Sequence, residues 1–156
     1  MKAIFACDAT GGMGFEGHLP WPKVPGDLAH FKNLTLGQTV IMGRGTYEST
    51  DMPVPLPHRK NIVLSRSLEQ VKPGMILVKE IDDLARWPDA WLIGGASLIQ
   101  SAWSKITKIH LTFVKRGYEC DCRLSLDTLS RDFSLVDEQP FRTHSFQIWD
   151  RKCSNT

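Results

Sequence analysis

The sequence predicts an α/β fold. One domain over residues 1–156 is expected, with a central mixed, mostly parallel twisted sheet of about eight strands, short flanking helices and an antiparallel C-terminal edge. Three observations predict it. Short continuous apolar runs recur along the first two thirds of the chain, as strands buried on both faces require. Segments with helical spacing, or rich in Pro and Gly, separate them. In the tail, Phe133–Val136 and Phe146–Trp149 follow each other with only a loop marked by Pro140 and Thr143 between them, which reads as an antiparallel pair at the sheet edge.

The elements follow in order. Ala3 to Cys7 is a first strand, ended by Asp8. Residues 8–18 hold four glycines and predict a mobile, closely packing loop with nothing regular in it. Pro20, Pro22 and Pro25 make a stiff approach to a short helix, with Pro25 suited to its first turn and Leu28, Phe31 and Leu34 on one apolar face. Asp27 then stands at the edge of that face, sheltered by Trp21, Leu28 and Phe31. A carboxylate so placed suits proton transfer, although Asp is also common in first turns simply to satisfy backbone N–H groups. Strands follow at 39–43, 62–64, 75–78, 91–93 and 106–114, with helical turns at 82–87 and a helix over 98–103.

Composition narrows the function. The chain is 42% hydrophobic and 23% charged, and 19 basic against 17 acidic residues leave a net charge of +2. No basic run exceeds two residues, so a nucleic-acid groove is not expected. No span reaches the ~20 apolar residues of a membrane helix, and no leader is discernible. Cysteines at 7, 120, 122 and 153 have neither zinc spacing nor a disulfide framework, so reduced thiols, a cytoplasmic location and no metal are expected.

Ligands in such sheets lie across the carboxyl ends of the strands. Gly43-Arg44, Ser65-Arg66, Lys79 and Gly94-Gly95 all fall there, each a cation or a bare backbone suited to phosphate. Taken singly, each is equally a tight turn with a surface side chain. Together they could hold an extended, multiply phosphorylated cofactor. The dinucleotide fingerprint Gly-x-Gly-x-x-Gly is absent.

Leu19-Pro20-Trp21, Asp27-Leu28-Ala29-His30-Phe31-Lys32, Val40 to Ser49, Leu56 to Asn61 and Ile93-Gly94-Gly95, in this order and spacing, resemble the dihydrofolate reductase family over nearly the whole chain. The resemblance implies reduction of 7,8-dihydrofolate to tetrahydrofolate with NADPH. It implies that Asp27 holds the pterin and supports protonation of N5, backed by Thr112, with Trp21 holding an ordered water. It places Leu28, Phe31 and Leu56 against the substrate rings, Ile4, Phe5, Ala6 and Ile93 along the site, and Arg59 on the glutamate α-carboxylate. On the cofactor side it implies Arg44, Arg66 and Ser65 at the 2′-phosphate, with Lys79 a weaker candidate, and Gly43, Arg44 and Thr46 at the pyrophosphate. A cis Gly94-Gly95 peptide, Ala6, Cys7, Gly14, Leu19, Leu64, Ala96, Ser97 and Leu98 complete that side. The chain departs from the family in Ile99, where many members carry a tyrosine, in Ala96 for a third glycine and in Ser97 for a basic residue. A monomer suffices for this size. The alternatives are a related pteridine- or flavin-pathway reductase and a non-catalytic protein of the same fold.

Overall fold

The computed structural model describes residues 1–154. Ten strands and four α-helices occur in the order β1 (Lys2–Asp8), β2 (Gly12–Gly14), α1 (Asp27–Thr35), β3 (Thr39–Gly43), α2 (Arg44–Glu48), β4 (Lys60–Leu64), β5 (Met75–Val78), β6 (Trp91–Leu92), α3 (Ala96–Ser101), β7 (Lys108–Val114), β8 (Cys122–Arg123), α4 (Leu126–Asp132), β9 (Phe133–Pro140) and β10 (His144–Arg151). Short 3-10 turns cover Ile81–Arg86 and Trp103–Lys105. Eight strands form one sheet in the order β5-β4-β3-β6-β1-β7-β10-β9, and β2 pairs with β8 separately. The neighbours from β5 to β7 are parallel; β10 is antiparallel to β7 and to β9. The expected mixed sheet with an antiparallel C-terminal edge is therefore present.

Side chains alternate across this sheet, as the pleat demands. Ala3, Phe5 and Cys7 of β1, Ile41, Ile62 and Leu92 enter one core with Ile99 of α3 and Leu129 of α4. Ile4, Val40, Met42, Val63 and Trp91 enter the other, against Phe31 and Leu34 of α1. The two apolar faces account for the continuous apolar runs in the strands.

Several expectations are corrected. The glycine-rich segment is not wholly irregular: Gly12–Gly14 is a strand, and Leu124 N donates to Gly11 O at 2.7 Å. Pro25 stands outside α1, because Gly26 is the N-cap with φ 78° and Asp27 is the first helical residue. The helix buries Thr35 rather than Leu28, which is 71% exposed. Helix α3 begins two residues earlier than expected, at Ala96. Helix α4 and strand β8 had no sequence counterpart.

Candidate active site

A cleft of about 690 Å³ opens at the carboxyl ends of β1, β3, β6 and β7. Chain order reverses here: β3 to β5 lie on one side of β1, and β7 on the other. Such a switch leaves a crevice between diverging loops. Asp27 enters it from α1, turned inward by the left-handed Gly26. Thr112 lies across from it on β7, in register with Ala6. Its Oγ1 donates to Asp27 Oδ1 at 2.6 Å, a short charge-assisted bond that fixes the carboxylate and leaves Oδ2 for a ligand. Trp21 is buried beside them, and its indole Nε1–H has no acceptor among the described residues. Buried donors are normally satisfied, so this one is left for a ligand or an ordered water.

Ile4, Phe5, Ala6, Gly14, Leu19, Leu28, Phe31, Thr46, Ile93, Gly94, Gly95 and Ala96 also line the cleft. Leu56 packs buried beside Phe31. The Leu56–Arg59 turn is built on Asn61, whose side chain accepts from Leu56 N at 2.8 Å and donates to Leu56 O and Arg59 O. Arg59 is thereby held over the Phe31 ring, with Nε on Thr35 Oγ1 at 3.0 Å and Nη1 on Pro57 O at 3.1 Å.

Cys7 and Leu98 do not reach the cleft with their side chains. Both point into the opposite core, where Cys7 has no exposed surface and burial, followed by the charge of Asp8, pushes its thiol up to about 12. The position of Ile99 is likewise core rather than cleft. Gly43, Arg44, Leu64, Ser65, Arg66, Lys79 and Ser97 lie outside the cleft wall. Several of them gather around the ends of β3, β4 and β5. Arg44 Nη1 donates to Ser67 Oγ at 2.7 Å, and Ser67 Oγ is 3.2 Å from Ser65 Oγ.

Sequence reasoning missed part of the wall: Met13, His18, Ser49, Asp51, Met52, Asp121 and Cys122. His18 Nδ1 lies 2.8 Å from Asp51 Oδ2 across the mouth, and Glu16 N donates to Asp121 Oδ2 at 2.7 Å. These contacts are long-range, and no local pattern announces them.

One edge of the cleft is built from bare backbone. The Gly94–Gly95 peptide is cis, and Gly43 N donates to Gly94 O at 2.9 Å. A Cβ added at Gly94 would stand 3.7 Å from Thr46 Oγ1, so two bare backbone turns and a hydroxyl meet at one edge of the cleft. The described residues contain no group of three or more His, Cys, Asp or Glu able to hold a metal.

A carboxylate and a hydroxyl thus stand on the cleft floor beside an edge built from glycine backbone, in an α/β fold shared with dinucleotide-dependent oxidoreductases. The sequence model of the family described as Dihydrofolate reductase matches residues 1–151. The chain is 37% identical to dihydrofolate reductase type 8 of Escherichia coli, covering 97% of this chain and 96% of that one. It is 37% identical to the dihydrofolate reductase of Bacillus subtilis, over 97% and 95%. A solved dihydrofolate reductase from Enterococcus faecalis, complexed with NADP(H) and RAB-propyl, superposes with a TM-score of 0.85 at 25% identity, covering 97% and 96% of the two chains. The chain belongs to the dihydrofolate reductase family. Its reaction is the NADPH-dependent reduction of 7,8-dihydrofolate to 5,6,7,8-tetrahydrofolate.

Proposed function

We propose that Asp27, Thr112 and Trp21 carry the protein's part in that reaction. The observation behind this is the 2.6 Å bond from Thr112 Oγ1 to Asp27 Oδ1 inside the cleft. With one oxygen committed, the other faces the pteridine and accepts from its amide and amino edge. The negative charge beside the ring favours the protonated N5, and the proton is drawn from solvent and relayed to N5 by a water that is held by Trp21 Nε1 and is left neutral. When bound, NADPH supplies the hydride that C6 receives. The protein supplies position and field: walls from Ile4, Phe5, Ala6, Ile93, Leu28 and Phe31, with Leu56 packed beside Phe31, exclude bulk water, which strengthens each polar contact. No covalent intermediate is required.

Arg59 receives the α-carboxylate of the glutamate tail, where its planar fork gives two parallel hydrogen bonds that lysine could not. Gly43, Arg44, Thr46, Gly94 and Gly95 take the pyrophosphate, with Gly14, Leu19, Leu64, Ala96 and Ser97 along the cofactor. Arg44, Arg66 and Ser65 take the 2′-phosphate, and Lys79 stands nearby. The chain acts as one domain over 1–156 and as a cytoplasmic monomer, without nucleic-acid or membrane partners. Four free cysteines support a reducing compartment, and no described helix is long and apolar enough to cross a membrane.

Asp27→Asn tests the central assignment. It should slow single-turnover hydride transfer near neutral pH by roughly 10²–10⁴-fold, the range of acid–base groups. Stopped-flow rates equal to those of the unmodified protein would remove Asp27 from the mechanism.

A further inference from the structure

The cations at the outer strand ends each carry a carboxylate. Arg44 Nε donates to Glu48 Oε1 at 2.8 Å, Arg66 Nη2 to Glu80 Oε2 at 3.0 Å, and Lys79 Nζ lies 3.4 Å from Glu69 Oε2. Arg59 differs. Its hydrogen bonds go to neutral oxygens, and it enters no ion pair among the described residues. The guanidinium assigned to the substrate's carboxylate is thus electrostatically free, whereas those assigned to the cofactor's phosphate are neutralised in advance.

We propose that Glu48 and Glu80 are specificity-determining residues that compete with the 2′-phosphate for Arg44 and Arg66 and narrow the preference for NADPH over NADH. The proposal rests on the reading of Arg44, Arg66 and Ser65 as the 2′-phosphate seat. Both acids are placed by backbone rather than by chance. Glu48 is one helical turn after Arg44, the spacing at which side chains meet. Glu80 follows the end of β5, whose Val78 is in register with Leu64 of β4, two residues before Arg66. A dianion entering between these pairs gains two guanidinium groups and meets two carboxylates. NADH brings a ribose hydroxyl instead, which a carboxylate can accept as a hydrogen-bond donor. The same acids therefore oppose one cofactor and tolerate the other. All four side chains are about half exposed or more, so the carboxylates can swing away, and the effect is moderate.

Dissociation constants for NADPH and NADH, measured by fluorescence titration, test this. The proteins to compare are the unmodified enzyme, Glu48→Gln, Glu80→Gln, their combination, Arg44→Ala and Arg66→Ala. Asp137→Asn, on β9 at the opposite edge of the sheet, controls for net charge. Each glutamine should tighten NADPH roughly two- to fivefold, as expected for exposed charge pairs, and leave NADH unchanged or weaker. The gain should shrink with added salt, and Asp137→Asn should move neither constant. Weaker NADPH binding in both glutamine variants would show that the acids orient the arginines. Unchanged binding would show that they play no part. Either result overturns the proposal, and the phosphate seat itself survives if Arg44→Ala and Arg66→Ala still weaken NADPH selectively. Equal weakening of both cofactors by the arginine variants would remove the seat and the proposal together.

Discussion

Asp8 is a fully buried carboxylate that has no cationic partner among the described residues. Five donors hold it: Thr10 N, Thr10 Oγ1 and Gly12 N on Oδ1, and Tyr118 N and Cys120 Sγ on Oδ2. Burial opposes its ionisation, but the hydrogen bonds from Thr10, Tyr118 and Gly12 outweigh burial and lower its pKa from 3.8 to about 2. A folded pKa below the unfolded one stabilises above the unfolded value and is lost as pH falls towards the folded value. Asp8→Asn places an N–H₂ against at least one existing donor, and it should cost on the order of 1–3 kcal/mol at pH 7. Urea melts should show that deficit, and the gap between the two proteins should narrow as pH drops from 3.8 towards about 2. In the sequence Asp8 is only the residue that ends an apolar run. Two of its partners are more than a hundred residues away, so its role was not legible there. The place of Asp27 in the cleft was legible through the surrounding motifs, although the apolar face expected to shelter it leaves Leu28 exposed.

The small β2–β8 pair shows what an element can hide. Gly12 pairs with Arg123 and Gly14 with Cys122, which fixes the base of the glycine segment to the loop after β7. Beyond the pair, at the segment's tip, Phe15 and His18 close a turn in which Glu16 has φ 49°. Gly11 makes the approach possible. Its φ is 83°, and an added Cβ would stand 2.1 Å from the carbonyl oxygen of Leu124. Gly11→Ala should therefore break this pairing, with roughly 1–3 kcal/mol from the backbone conformation alone. Asp121 N donates to Gly14 O and Leu124 N to Gly11 O, so amide hydrogen exchange should rise at Asp121 and Leu124; unchanged protection there would refute the clasp. A two- or three-residue strand made largely of glycine has no period to read. Helix α4 is different. Ser125 accepts from Thr128 N at 3.2 Å as its cap, and Leu126 and Leu129 share one face, so a legible start signal was present.

At the scale of the molecule, one face of the sheet collects histidines. His30 stacks on Phe146 with ring centroids 4.0 Å apart, His144 packs against Phe141 and Phe146, and His110 meets the edge of Trp91. Burial lowers all three pKa values, and His110 falls from 6.5 to about 4, with His30, Lys108 and Lys2 adding repulsion against the weaker pull of Asp150. The unfolded chain takes up these protons before the folded one. The stability lost through these histidines should therefore grow as pH drops from 6.5 towards about 4 and level off below, where the loss from Asp8 takes over. His110→Phe keeps an aromatic ring and removes one titration, so urea midpoints should decline less over that range. An identical decline in both proteins would exclude His110 as a source.

The sequence by itself determined the sheet, its mostly parallel sense and the residues at its carboxyl ends. Those follow from apolar runs and breakers, whose causes act within a few residues. It also supplied the family, through several spaced motifs that confirm one another. Only the tertiary structure decided which side of each strand faces the cleft, sending Ala6 inward and Cys7 into the opposite core. It alone paired Asp8 with Tyr118, His18 with Asp51, and Arg66 with Glu80. Those pairings depend on chain closure in space, and a one-dimensional pattern carries no distance between segments that only folding brings together.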